Sequence, residues 1–210
     1  MTTLKKPKGL LLVISGSSGT GKGTVIAALR KAHPEFSYSV SATSREPRPG
    51  EIDGREYYFV SDERFEEMIR QGDVIEYTRY CGHYYGTPKS ELAKLEDGSH
   101  LILEIEVEGG GNVKRLFPDC VSVFILPPDY ETLKNRLVNR GTNTAADIEG
   151  RLNKALREFR AAVTYDYAVV NADGRAEEAA EAIAGIVAAE LHRTARCPGA
   201  IDELFFSEKS

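Results

Sequence analysis

Gly16-Ser17-Ser18-Gly19-Thr20-Gly21-Lys22-Gly23-Thr24 stands between two segments of opposite character. Before it, Leu10-Leu11-Leu12-Val13-Ile14 is a short continuous apolar run, the pattern of a strand buried on both faces. After it, residues 25–32 form an amphipathic stretch with helical spacing. Strand, glycine loop, lysine and helix in that order make a phosphate cradle. Glycines let the loop wrap tightly, so that successive backbone N–H groups converge on an anion. The helix adds its positive N-terminal end, and Lys22 is long enough for the outer phosphates of a nucleoside triphosphate. Gly16, Gly21 and Lys22 meet the spacing G-x-x-x-x-G-K. Where a Ser or Thr would place a hydroxyl on Mg²⁺, the chain has Gly23, with Thr24 one residue later. A nucleotide is expected on residues 16–24.

Further apolar runs at 101–105, 121–126 and 168–170 look like buried parallel strands. Helical patterns fill 88–96, 112–117, 130–139, 145–163 and 177–192. That alternation predicts an α/β fold, a doubly wound parallel sheet flanked by helices. Asp129 after Pro127-Pro128 is a candidate N-cap, and Thr144-Ala145-Ala146-Asp147 resembles a capping box. Residues 38–87 break the rhythm. They hold short strand-like pieces (38–42, 57–60, 74–80), turns at Pro49-Gly50 and Asp53-Gly54, and one helix near 62–71. The expected organisation is a core of 1–37 and 88–192 with a helical, arginine-bearing lid at about 129–164. A small, mixed, mostly antiparallel insert occupies 38–87, and a tail follows at 193–210.

A chain of 210 residues suits one such domain with a lobe or lid. Its formal charge of −5 gives no general attraction to nucleic acid, so no nucleic-acid partner is expected. No apolar run approaches the ~18 residues of a membrane span. Cys81, Cys120 and Cys197 are odd in number and unpaired in spacing, and the four histidines are scattered, which fits neither a disulfide framework nor a zinc site. Residues 1–8 are polar and basic, without the apolar centre of a signal peptide. A cytoplasmic protein is expected.

The insert opens with Ser41-Ala42-Thr43-Ser44-Arg45-Glu46-Pro47-Arg48-Pro49-Gly50-Glu51. Arg45 and Arg48, beside a proline-stiffened bend, can grip one phosphate from two directions, a task suited to the planar guanidinium. Downstream come Gly54, Tyr57, Phe59 and Val60, then Glu76, then Tyr84-Tyr85-Gly86-Thr87. Together these linked motifs closely resemble guanylate kinase, the enzyme that moves phosphate from ATP to GMP, over about residues 9–191.

The resemblance implies that Arg45, Arg48, Tyr57 and Tyr85 hold the GMP phosphate and that Ser41, Glu76 and Thr87 face the guanine. The base chemistry agrees. Guanine offers N1–H and an amino group as neighbouring donors, which one carboxylate accepts together, whereas adenine presents an acceptor at N1. A strand end, Glu104-Ile105-Glu106-Val107-Glu108-Gly109, stands where similar enzymes read Asp-Ile-Asp and then Gln-Gly. The likeness assigns Glu106 to GMP and Glu104 to Mg²⁺, directly or through water. It also places Arg136, Arg140 and Arg151 in a lid that closes over the triphosphate, and Asn171 against the adenine of ATP. With Lys22, these arginines and Arg45 form the expected catalytic set. ATP with Mg²⁺ is the implied donor, and GMP the acceptor, with dGMP as an alternative because no residue demands the 2′-hydroxyl. Oligomeric state stays open. Two rivals remain at this point: another small-phosphate kinase on the same fold, and a non-enzymatic guanylate-kinase-like interaction module.

Overall fold

The computed structural model of the chain describes residues 9–139, 145–197, 199 and 206. Among the described residues, five parallel strands form the central sheet: β1 (Leu11–Ser15), β2 (Phe36–Tyr38), β7 (His100–Glu104), β8 (Val121–Leu126) and β9 (Tyr167–Val170). Their order is β2-β7-β1-β8-β9, with β1 central. Alternation along β1 divides the interior between two layers. Leu12 and Ile14 face α1 (Lys22–Ala32) and α7 (Ala176–Glu190), with Val25, Leu29 and Ile183 in that core. Leu11 and Val13 face the opposite layer, with Val113 of α4 (Val107–Leu116) and Ile75. A strand covered on both faces has no polar side to declare, so its run is uniformly apolar.

The chain leaves β1 towards β2 on one side of the sheet and leaves β7 towards β8 on the other. The carboxyl ends of β1 and β7 are therefore the switch point where a doubly wound sheet opens a ligand crevice.

The second sheet, β4-β3-β6-β5, comprises β3 (Ala42–Thr43), β4 (Tyr58–Phe59), β5 (Val74–Tyr80) and β6 (His83–Pro88). The β3–β6 and β5–β6 pairs are antiparallel and β3–β4 is parallel, so the insert sheet is mixed. Helix α2 (Asp62–Gln71) carries Ser61 as a side-chain N-cap to the Arg64 amide and packs Phe65 on Tyr84, ring centroids 5.1 Å apart. Glu91 ties insert to core: it accepts from the Val40 amide at 2.8 Å and the Tyr58 hydroxyl at 3.1 Å. On the other side of the crevice lie α5 (Tyr130–Val138) and α6 (Ala145–Ala161), packed through Leu133, Leu137, Leu152 and Ala155.

Several sequence expectations shift. The strand expected at 38–42 is two: 36–38 joins the core sheet beside β7, and 42–43 begins the insert sheet. The break falls where Ser39 leaves the ladder, its amide still bonded to the Ile102 carbonyl. Helix α4 starts at Val107, five residues before the expected 112, despite Gly109, Gly110 and Gly111. The segment expected as a helix over 88–96 is a 3₁₀ turn (Lys89–Leu92) followed by the short α3 (Ala93–Glu96). Asp129 caps α5 as expected, accepting from the Thr132 amide at 2.7 Å. Thr144 of the expected capping box and Leu204 and Phe205 of the tail lie outside the described residues.

Candidate active site

Backbone geometry shapes the loop between β1 and α1. Gly21, just before the helix, adopts φ 82°, ψ 24°, and Gly19 has φ 91°; both are left-handed conformations that side chains rarely tolerate. Thr20 is wholly buried, with its amide and hydroxyl both donating to the Ser17 carbonyl, at 3.2 and 2.9 Å. From behind, the Asn171 amide nitrogen donates to the Thr20 carbonyl at 2.8 Å. Arg136 donates to the same carbonyl at 3.2 Å, to Gly19 at 3.4 Å and to the Asn171 carbonyl at 2.9 Å, while its Nε pairs with Asp173 at 2.8 Å. The loop is thus held by its carbonyl groups. Lys22 opens α1 and its ammonium donates to the Gly16 carbonyl.

In front of the loop is a cleft of about 410 Å³. Ser17, Ser18, Gly19, Gly21, Lys22, Gly23 and Thr24 form one wall, Glu104 and Glu106 another, and α6 closes it with Arg151, Lys154 and Glu158. Arg151 donates to the Ser18 hydroxyl at 3.1 Å, and the Ser17 hydroxyl donates to Glu158 at 2.6 Å. Lys154 pairs with Glu106 at 3.0 Å and with Glu158 at 3.4 Å. Glu104 accepts from the Tyr38 hydroxyl at 3.1 Å. Burial, and then the Glu104 charge, raise the Tyr38 phenol's pKa and keep it a donor. For Mg²⁺, the cleft offers carboxylates but no cluster of three or more His, Cys, Asp or Glu among the described residues. That set fits a cation that keeps its waters and phosphate oxygens and borrows only one or two protein ligands.

The insert gathers a second group. The Arg45 guanidinium meets the Glu51 carboxylate through two parallel bonds, at 2.9 and 3.0 Å, and lies over the Tyr57 and Phe59 rings at 5.4 and 5.7 Å. The Arg48 amide also donates to Glu51, at 2.7 Å. Tyr57 and Tyr85 meet edge to face, centroids 6.0 Å apart. Burial raises the Tyr57 phenol's pKa most, with Tyr85 adding to the shift and the Arg45 charge opposing it. Glu76 is only 7% exposed. Its Oε1 accepts from the Thr87 hydroxyl at 2.8 Å; burial raises the carboxyl pKa and the Thr87 bonds partly offset it. A charge-capable group this deep, whose partner among the described residues is the neutral Thr87, is a candidate to accept donors from a ligand.

Residues 8–190 match the family model described as guanylate kinase. The chain belongs to the guanylate kinase family. It is 50% identical over 192 residues to the guanylate kinase of Lactococcus lactis subsp. lactis, covering 91% of this chain and 93% of that one. It is 45% identical over 202 residues to the guanylate kinase of Clostridioides difficile, covering 96% and 98%. Among solved structures, a guanylate kinase from Anaplasma phagocytophilum superposes with a TM-score of 0.75 at 32% identity, covering 98% of this chain and 97% of that one.

Relative to the expectations from sequence, the structure brings Ser17, Ser18, Gly19, Gly21, Lys22, Gly23, Thr24, Glu104, Glu106 and Arg151 to the cleft, while Thr20, Asn171 and Arg136 lie behind the loop. Arg45, Tyr57 and Tyr85 form one insert cluster and Glu76 with Thr87 another. Ser41 is half-buried beside Ala42, its carbonyl accepting from the Tyr58 amide, and Arg48 is exposed. Arg140 lies outside the described residues. Sequence reasoning missed Tyr38, Lys154 and Glu158, and gave Glu51 no role. Arg151, Lys154 and Glu158 are spaced three and four apart, the mark of one helix face. Nothing in the sequence pairs Tyr38 with Glu104, 66 positions away.

Proposed function

We propose that this member of the guanylate kinase family transfers the γ-phosphoryl group of ATP to GMP, and to dGMP, giving ADP and the nucleoside diphosphate. A GMP phosphate oxygen forms a bond to the γ-phosphorus as the bond to the β,γ-bridging oxygen breaks. No general base is needed, because the attacking phosphate is already anionic at neutral pH. The protein's work is alignment and charge neutralisation.

Backbone amides of residues 16–24 cradle the donor phosphates, and Lys22 and Arg151 neutralise charge developing on the transferred group. Arg136 has its guanidinium committed to loop carbonyls and Asp173, so its part is to fix the loop, as is that of Asn171. Arg140 is assigned to the lid on family resemblance alone. Arg45, Arg48, Tyr57 and Tyr85 take the GMP phosphate; Ser41, Glu76, Thr87 and Glu106 take the base. Glu104, oriented by Tyr38, would hold Mg²⁺ arriving with ATP, and the ion would supply further neutralising charge on the phosphate oxygens.

The observation that carries the acceptor reading is the buried Glu76 carboxylate with Thr87 as its hydroxyl partner. ADP formation from ATP–Mg²⁺ is to be measured with GMP, dGMP, AMP, CMP, UMP and a ribose phosphate as acceptors, for the parent and Glu76→Gln. Turnover confined to GMP and dGMP, and strongly reduced in Glu76→Gln, is expected. Turnover of a different acceptor would reassign the substrate, and GMP binding with no turnover would return the chain to the interaction-module class.

A further inference from the structure

One oxygen of the Glu76 carboxylate is fixed by Thr87, and the other, Oε2, lies against the first turn of α4. That turn has Gly109 at its third position and buried. A methyl group at Gly109 would sit 2.7 Å from Glu76 Oε2 and 3.4 Å from the carboxyl carbon. The first distance is closer than real side chains approach, and the atom in the way is the far end of a flexible side chain. A methyl there is therefore accommodated by swinging the carboxylate, with little demand on the backbone. Gly109 has no left-handed conformation that would require glycine, and glycine within a helix is less stable than alanine. The sequence thus accepts a helix-weakening residue where a larger one would displace the carboxylate.

We propose that Gly109 is a specificity-determining position of the acceptor site: its missing side chain holds Glu76 in the orientation that meets the guanine edge. The inference rests on the assignment of Glu76 as base reader. Gly111 supplies an internal control, being exposed on the same helix with nothing among the described residues within 4 Å of an added methyl. Alanine at either position raises helix propensity alike, but only at 109 does it push on Glu76.

Steady-state kinetics with GMP and with IMP, which lacks the 2-amino group, and thermal unfolding are to be measured for the parent, Gly109→Ala, Gly111→Ala and Glu76→Gln. The expected result for Gly109→Ala is a rise of about 10- to 100-fold in KM for GMP, the scale of a displaced binding group. KM for ATP should be unchanged, the ratio of kcat/KM for GMP over IMP should fall, and the thermal midpoint should be at or above that of the parent. Gly111→Ala should leave KM for GMP unchanged. An unaltered KM for GMP in Gly109→Ala, alongside a raised one in Glu76→Gln, overturns the inference and leaves the base reader standing. No rise in either variant removes both. A lowered thermal midpoint with KM raised for both substrates, or an equal rise in Gly111→Ala, would make the effect structural and overturn the specificity role.

Discussion

The donor loop and the acceptor insert both prepare for phosphate, but they are held ready in different ways. The loop is fixed from behind through its own carbonyl groups by Asn171 and Arg136, and underneath by Leu133 and Leu137. Its binding groups are backbone amides, whose positions follow from the fold. The insert instead presents arginine side chains, and Arg45 is kept in place by a carboxylate of the same chain, Glu51. One site is set by main-chain conformation and the other by a side-chain ion pair. Ion pairs are more readily exchanged for an incoming phosphate than a backbone bend is remade. The acceptor half should accordingly respond more to charge changes, and the donor half to changes in shape.

The largest expected effect tests the donor half. Lys22→Ala removes the ammonium proposed to neutralise the transferred group, along with its bond to the Gly16 carbonyl, while leaving the Asn171 and Arg136 bonds behind the loop intact. Its kcat should fall by about 10²–10³-fold with little change in the thermal midpoint. A smaller loss would mean that the amides and Arg151 carry the charge without it. The next tests the insert. Glu51→Ala frees the Arg45 guanidinium and the Arg48 amide, and KM for GMP should rise about tenfold with KM for ATP unchanged, a loss of orientation outweighing the removal of a competing anion. A fall in KM would show that Glu51 competes with the substrate more than it positions the arginine, and would sharpen the contrast between the halves.

The smallest effect concerns pH. Burial raises the Glu76 carboxyl pKa above the ordinary glutamate range. On acidification this group gains its proton earlier than exposed carboxylates, and a protonated Glu76 cannot accept both guanine donors. The kcat/KM for GMP should therefore fall on the acid side, with a component that Glu76→Gln lacks once the shared titration of the GMP phosphate is subtracted. Stability runs the other way. Between the unfolded and folded pKa values the folded chain binds more protons, so the contribution of this group to stability falls as pH rises through the folded value. Glu76→Gln should unfold at a higher temperature than the parent at neutral pH while losing GMP.

Features written in local pattern were legible before the fold was known. The central strand, the phosphate loop and Asp129 at the head of α5 all depend on neighbours in sequence, and β8 begins and ends where its apolar run does. The misses share a cause in tertiary contact. Helix propensity is low across Gly109, Gly110 and Gly111, yet packing against β5 and β1 overrides it because Gly109 and Gly110 allow close approach. Strand β6 carries the motif Tyr84-Tyr85-Gly86-Thr87 and reads as a strand only beside its partners: β3 and β5 flank it in the sheet, and β3 lies about forty positions earlier in sequence. In the site, single residues of recognisable chemistry could be named, but not who holds them. Tyr38 on Glu104, Glu51 on Arg45 and Arg136 on the loop carbonyls exist only once the chain has folded.

Gly19 ties the lid to the loop more closely than the separation in sequence suggests. A methyl on it would lie 3.0 Å from Leu133 and 3.1 Å from Leu137 of α5, the helix that also carries Arg136. The root of the lid and the donor cradle are in this sense one mechanical part. A repacking lesion at Leu133, a wholly buried residue that does not line the cleft, should read out in the laboratory as weakened ATP binding. Suppressors of such a lesion are to be sought in the glycine loop before the substrate-facing arginines.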